Sequence, residues 1–310
     1  MANKQQHPIT AKEIAALCGV SQGTVDRALH GRGDISAETR ERILRVAAEQ
    51  GYSPNLSARR LVSGKSGLLG VILFDLYNEY FSELVMHMEN AFREAGFLPV
   101  VMFSQKDPAL EQLCIQKLCA MGVEGIVICP IGQGETLERA LSATGVPVVT
   151  VGNRLNRFPH VGIDDEAAMY DMAHYVMRKG CSRALYYAPV LAHRSGNRDA
   201  QERRYAGFCR AAREFSVFYQ TVTEISDIPS DVGADTVIMA STDYYALQLI
   251  LAGVPAQRVT GFDNIPLLST FGITFPTVDG GSLAVATALA EMFGTAEHPR
   301  DRIIPHRVVL

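Results

Sequence analysis

The stretch Ile9-Thr-Ala-Lys-Glu-Ile-Ala-Ala-Leu17, Cys18-Gly-Val20, Ser21-Gln-Gly-Thr-Val-Asp-Arg-Ala-Leu29 decides how the rest of the chain is read. It describes two short amphipathic helices joined by a tight turn. Thr10 stands where the first helix needs a cap, and Glu13 falls at the reciprocal capping-box position. Ile14 and Leu17, three apart, are expected on one apolar face. Gly19 suits the turn because it has no Cβ to clash at positive φ. Ser21 can cap the second helix, which is expected to bury Val25 and Leu29. The pattern is a helix-turn-helix, an arrangement whose second helix normally enters the DNA major groove.

Ser36 opens a third helix, expected over Ala37 to Gln50, with Ile43, Val46 and Ala47 inward and Gly51 as its stop. Then comes Gly51-Tyr-Ser-Pro-Asn-Leu-Ser-Ala-Arg-Arg-Leu-Val-Ser-Gly-Lys65. The series Val20-Ser21, Thr24-Val25, Arg27-Ala-Leu-His30, Gly51-Tyr52, Pro54-Asn55, Ala58, Leu61, Gly64-Lys65 and Gly70-Val71 closely resembles the lactose-repressor (LacI/GalR) family. Many positions agree at fixed spacing, so the N-terminal match is specific. The resemblance continues more weakly to the C-terminus.

Composition adds bounds. The 310 residues can make a small domain plus two ordinary ones. No apolar run reaches membrane-spanning length. Met1 to Pro8 is polar and unlike a signal peptide, so a soluble cytoplasmic protein is expected. The net charge of −4 hides an asymmetry. Residues 1–65 hold 10 Lys+Arg against 6 Asp+Glu, and the remainder holds 19 against 27. A basic head on an acidic body suggests that only the head meets nucleic acid. The six cysteines form no CxxC pair or zinc-like cluster, and neither metal nor cofactor is expected.

From Gly67 the pattern becomes α/β. Leu68 to Phe74 is a continuous apolar run, as expected of a strand buried on both faces. Strands and helices then alternate to the end of the chain, which argues for parallel sheets covered by helices. The resemblance implies a helix-turn-helix head over 1–53, a hinge or linker over 54–65, and a two-lobed, periplasmic-binding-protein-like core over 66–310. The N-lobe would take about 66–162 and 280–303, and the C-lobe about 163–276 and 304–310. The three passages between lobes are expected near Gly162, Thr277 and Ile304.

In a helix-turn-helix the first residues of the second helix reach base edges, here Gln22, Gly23 and Thr24, with Arg27 one turn later. Glutamine can pair with adenine and arginine with guanine. Ser21, Thr24 and the helix N-terminus are better placed for phosphate, and Thr10 joins the candidate contacts. Two residues depart from the family's usual pattern. Asp26 stands where a small hydroxyl residue is common, and Gly23 where many relatives carry a longer side chain. The hinge, Asn55 to Ser63, resembles the family segment that folds to a helix on operator DNA. By that resemblance Leu61 wedges into the minor groove, Ala58 allows close approach and Asn55 lies in register, while Arg59 and Arg60 meet phosphate.

Ligands in open α/β sheets bind outside the carboxyl ends of the strands. Those ends carry Asp75, Tyr80 and Phe81, then Asn153 and Arg154, then Arg204, Thr242, Asp243 and Asp263. The family's effector residues map best onto Arg204 and Asp263, a guanidinium and a carboxylate able to hold neighbouring hydroxyls. Tyr80 and Phe81 can stack on an apolar ligand face. Thr242 stands where sugar-binding members usually have Asn. The polar run Ala192 to Asp199 reads as a solvated loop, or else His193, Arg194 or Arg198 touches an anionic group on the effector.

The expectation is therefore a DNA-binding transcription regulator, a repressor of sugar or polyol genes. It would bind a near-palindromic operator as a homodimer under control of a small metabolite. A nucleobase or a sugar phosphate stands behind sugar or polyol as the effector class. The chain ends at Leu310 without a trailing heptad segment, so a dimer without a tetramerising helix is expected. The rival is a sugar- or nucleotide-processing enzyme with an attached DNA-binding module, since fold does not fix function. No GxGxxG, GxxxxGKS/T, HExxH or GxSxG motif supports it.

Overall fold

The structure is a computed structural model that describes residues 9–29, 33–52, 65–132, 134–191, 197–229, 232–295 and 299–310. Two compact units divide the chain, Met1–Ser66 and Gly67–Leu310.

In the first unit α1 (Ala11–Cys18), α2 (Gln22–Leu29) and α3 (Ala37–Glu49) share one small core. Each start follows from its cap. Thr10 Oγ1 accepts from the Glu13 amide at 3.3 Å while Glu13 Oε2 accepts from the Thr10 amide at 2.7 Å. Ser21 Oγ accepts from the Thr24 amide, and Ser36 Oγ from the Thr39 amide, both at 3.2 Å. Gly19 and Gly51 take φ of 64° and 60°, the left-handed values that end α1 and the α3 segment. Leu17 corrects the sequence reading, because it is 60% exposed. The stripe that faces the core is Ile14, Ala15 and Cys18, and Leu17 lies on the other side of Ile14 from that stripe. Likewise Ala28 is the buried partner of Val25 in α2, with Leu29 and Val46 at the margin.

The second unit has two lobes. In the N-lobe the order is β1 (Leu68–Leu73), α4 (Glu79–Glu94), β2 (Leu98–Phe103), α5 (Pro108–Met121), β3 (Ile126–Ile128), α6 (Glu135–Ser142), β4 (Val148–Thr150) and β5 (Val161–Gly162). The C-lobe runs α7 (Asp165–Met177), β6 (Arg183–Tyr187), α8 (Arg198–Glu214), β7 (Phe218–Val222), β8 (Thr236–Ala240), α9 (Asp243–Leu251), β9 (Val259–Thr260), α10 (Pro266–Thr270) and β10 (Thr277–Asp279). The chain then returns to the N-lobe for α11 (Ser282–Gly294) and β11 (Arg302–Ile303), and ends in the C-lobe with β12 (Arg307–Val309).

Each lobe is built on a four-stranded parallel sheet, β2-β1-β3-β4 and β7-β6-β8-β9. All but the first residue of β1 are buried, which is why that strand reads as unbroken apolar sequence. Both sheets are extended by the crossing strands. A parallel bridge between Thr150 and His160 leads on to β5, which pairs with β11. A bridge between Asp263 and Asp279 leads on to β10, which pairs antiparallel with β12. The second passage between lobes therefore falls after Asp279, close to the expected position near Thr277. Val278 is fully buried in the C-lobe core, so β10 belongs wholly to that lobe. Helix α8 starts at Arg198, inside the polar run Ala192 to Asp199 that the sequence suggested as a loop.

Candidate functional site

Two surfaces gather the residues singled out above. The first is the N-terminal turn of α2. Ser21, Gln22 and Gly23 are exposed there, and Thr24 is half-buried. Ser21 Oγ and Thr24 Oγ1 lie 2.9 Å apart, and Arg27 Nη2 donates to Thr24 Oγ1 at 3.4 Å. Arg27 thus lies back along its own helix, while Gln22 projects without such a tie. A Cβ on Gly23 would meet only Ser21 Oγ, at an ordinary 3.8 Å. Packing within the head therefore does not demand glycine at that position. Asp26 is exposed on the same helix. Thr10, at the start of α1, is committed to its capping box. Asn55, Ala58, Arg59, Arg60 and Leu61 lie outside the described residues.

The second surface is the cleft between the lobes of the second unit. Its centre is Arg204, in the second turn of α8, with 7% of its side chain exposed. Nε donates to Asp165 Oδ1 at 2.8 Å, and Nη1 donates to the Ser241 carbonyl at 2.8 Å and lies 3.4 Å from Asp263 Oδ1. The guanidinium lies 3.6 Å from the centroid of the Phe262 ring. Burial works against the charge on Arg204, but Asp263 and Asp165 outweigh it and raise its pKa. Burial lifts the Asp263 carboxyl to about 6, with Arg204 pulling the other way, and raises Asp165 against the same opposing pull.

The lobes are tied across this cleft. Asn78, at the N-cap of α4, donates through Nδ2 to Asp263 Oδ2 at 2.7 Å. Glu79 Oε2 accepts from the Leu267 amide at 2.9 Å. Asn153 is almost fully buried. Its Nδ2 donates to the Pro130 carbonyl at 2.6 Å, and its Oδ1 accepts from the amides of Asp199 and Ala200 at 3.1 and 3.4 Å. The first turn of α8 is therefore capped by a side chain from the opposite lobe. Arg154 reaches the Ile163 carbonyl at 3.4 Å, and its amide donates to Asp199 Oδ2 at 3.2 Å.

Two small cavities remain between these ties. One, of about 90 Å³, is lined by Asp75, Phe81, Asn197, Gln201, Thr242 and Tyr245 among others. The second, of about 30 Å³, lies against Tyr80, His160, Arg204 and Asp263. A ligand pocket usually has about 300–1,000 Å³. The arrangement is thus a narrow cleft with mixed walls, in which Phe81 and Tyr245 line one cavity and Arg204 and Asp263 the other.

Not every expected contact faces that space. Asp243 is fully buried, and its carboxylate accepts from the Ile265 amide at 3.0 Å and from Thr277 Oγ1 at 2.6 Å. Burial first, and the Asp263 charge second, lift its pKa to about 7. It braces the C-lobe loops from behind. Thr242 lines the larger cavity while its Oγ1 caps α9 through the Tyr245 amide at 3.2 Å. Asp75 pairs with Lys106 at 2.8 Å. Exposed Arg198 pairs with Glu202 at 2.7 Å, while His193 and Arg194 lie outside the described residues.

Sequence reasoning missed Asn78, Asp165, His160 and Gln201. His160 bonds Thr150 Oγ1 through Nδ1 at 3.1 Å, and burial, with Arg154 adding to it, holds its pKa down to about 3. Gln201 lies three residues before Arg204 on one helix, the spacing that puts two side chains on one face. That signal was present in the sequence and was not used.

Residues 10–55 match the family of bacterial regulatory proteins called the lacI family. Residues 66–241 match the periplasmic binding proteins and sugar binding domain of the LacI family. The chain belongs to the LacI family. Among curated relatives, the HTH-type transcriptional regulator AglR of Rhizobium meliloti (strain 1021) is 31% identical over 194 residues, 59% of this chain and 53% of that protein. The HTH-type transcriptional regulator PtxS of Pseudomonas plecoglossicida is 31% identical over 230 residues, 73% of this chain and 66% of that protein. The ribitol operon repressor of Klebsiella aerogenes is 29% identical over 185 residues, 59% and 68% of the two chains. The first of these matches span about half to two thirds of the relatives' length. Among solved structures, the lac repressor dimer bound to operator and the anti-inducer ONPF superposes with a TM-score of 0.77. That match is 18% identical and covers 98% of both chains, so it speaks for the LacI-family fold. Among the described residues, no helix is long and apolar enough to cross a membrane.

Proposed function

We propose that this LacI-family protein is a transcription regulator, acting as a repressor of genes for sugar or polyol metabolism. It binds a near-palindromic operator as a homodimer in the cytoplasm. A small metabolite in the interlobe cleft alters the lobe arrangement and so the affinity for DNA. The carrying observation is the pairing, in one chain, of an exposed reading turn at Ser21, Gln22 and Gly23 with a closable two-lobed cleft around Arg204 and Asp263. Relatives named as the ribitol and sucrose operon repressors support the effector class. No catalytic step belongs to this reading.

Within it, Gln22 reads a base edge, Ser21 and Thr24 hold phosphate, and Gly23 lets the helix approach closely. Arg204 and Asp263 hold effector hydroxyls, and Asn153 and Asn78 act through the lobe angle. The test is selection of bound sequences from a random duplex pool by the purified full chain. A near-palindromic consensus bound about a thousandfold or more over random DNA is expected. Recovery of no consensus, or steady turnover of a bound sugar or nucleotide, would refute the reading.

A further inference from the structure

The cleft carries more carboxylate than cation, and the unpartnered polar atoms lining its larger cavity are acceptors. Arg204 is shared between two carboxylates, Asp165 and Asp263, with its Nε and Nη1 engaged and its face against Phe262. Lys106, the cation that lines the larger cavity, already pairs with Asp75 at 2.8 Å. An anionic group entering here would approach Asp165 and Asp263, while Arg204 and Lys106 are already paired with carboxylates and Arg154, whose Nε is buried without a hydrogen-bond partner among the described residues, lines neither cavity. Burial lifts both carboxyls even with Arg204 beside them, which shows how poorly this space tolerates further negative charge.

The hydrogen-bond vacancies have the opposite character. Gln201 is 1% exposed and lines the 90 Å³ cavity, and its Oε1 is buried with no hydrogen-bond partner among the described residues. Asn197 Oδ1, on the same wall, is in the same condition. A buried acceptor left unpaired is costly, so the wall calls for a donor. Phe81 and Tyr245 also line this cavity and bring no charge to it.

We propose that the cleft takes an uncharged, hydroxyl-rich effector that donates hydrogen bonds to Gln201 and Asn197, and that it rejects the phosphorylated or carboxylated form of the same compound. This rests on the reading of the cleft as an effector site. Hydroxyl protons satisfy the two orphaned amide oxygens, and the paired acids around Arg204 repel an anionic analogue. Gln201 contributes to specificity through direct contact.

The experiment is titration calorimetry of the full-length protein with matched pairs. These are ribitol and ribitol 5-phosphate, sorbitol and gluconate, fructose and fructose 1-phosphate, and glucose and glucose 6-phosphate. The wild type and Gln201→Leu are compared, and each binder is added to the selected operator complex in a mobility-shift assay. The neutral member of at least one pair is expected to bind about tenfold or more tightly than its anionic partner. Gln201→Leu should weaken that neutral ligand by about tenfold or more, yet leave the unliganded melting temperature no lower, because it removes an unpartnered buried oxygen. Tighter or equal binding of the anionic members, no binding of any neutral member, or an unchanged affinity in Gln201→Leu would overturn the proposal. An anionic compound that binds and alters the operator shift would sink this inference while leaving the regulator reading intact. Loss of operator recognition itself would sink that reading.

Discussion

Replacing Arg204 with methionine tests the electrostatics of the cleft directly. The side chain is nearly fully buried, and its guanidinium neutralises Asp165 at 2.8 Å and Asp263 at 3.4 Å while also donating to the Ser241 carbonyl. Methionine fills much of the same space but leaves two buried carboxylates facing one another. Removing one partner of a buried ion pair costs about 3–5 kcal/mol. For a unit of this size that corresponds to a fall in melting temperature of roughly 6–20 °C. The loss must depend on pH, and its sign follows from the raised acids. Asp263 already titrates at about 6 and Asp165 is raised, both against an unfolded aspartate near 4. Without Arg204 both rise further. As pH falls from 8 towards 5 the folded protein takes up protons that the unfolded chain does not, so folded stability is recovered. Urea unfolding of wild type and Arg204→Met at pH 8 and pH 5 measures both effects. The deficit should be clearly smaller at pH 5, and adding Asp165→Asn and Asp263→Asn to Arg204→Met should restore part of it at pH 8. An equal deficit at both pH values, or one under about 1 kcal/mol at pH 8, contradicts the buried-triad account.

Three further outcomes are expected. Gln22→Ala should lose about 1–3 kcal/mol of discrimination at one base position, measured by competition with operator variants, while affinity for random DNA barely changes. Gly207→Ala would place a Cβ 2.1 Å from the Glu166 carbonyl oxygen, forcing α7 and α8 apart. It should cost about 1–3 kcal/mol in a thermal melt, and a neutral result would mean those helices part freely. Asp243, lifted to about 7, favours the folded state more as pH falls from 7 to 4, by about 1.4 kcal/mol per pH unit for one proton. Asp243→Asn should flatten that part of the urea-midpoint profile.

Local rules carried the head almost completely. Thr10 with Glu13, Gly19, Ser21 and Ser36 each specify a backbone event within three residues, so the sequence alone locates them. Leu17 escaped because three-residue spacing names two possible faces, and only the packing of Ala15 and Cys18 selects one. In the core, the apolar run Leu68 to Phe74 announces β1. The crossing strands β5 and β11 are two residues long and carry no periodicity to detect. Arg204 and Asp263 were legible as a pair, and the structure brings them together. The engagement of Asp243 and Asn153 with backbone amides was not legible, since those donors, the Ile265 amide and the first turn of α8, are distant in sequence. Asn78 was hidden for a similar reason, because its partner lies 185 residues away.

The cap that Asn153 places on α8 also bears on sensitivity. Parting the lobes leaves the first turn of a 17-residue helix without its acceptor, whatever the cleft contains. Losing such a cap costs about 1 kcal/mol, enough to change the resting ratio of closed to open molecules several-fold. A ligand's apparent affinity scales with the fraction of molecules already competent to bind it. On the proposed effector reading, substitution of Asn153 should move a dose–response curve along the concentration axis, while substitution of Gln201 or Arg204 should change which compound produces it. The threshold and the specificity of such a receptor can drift separately, one substitution at a time.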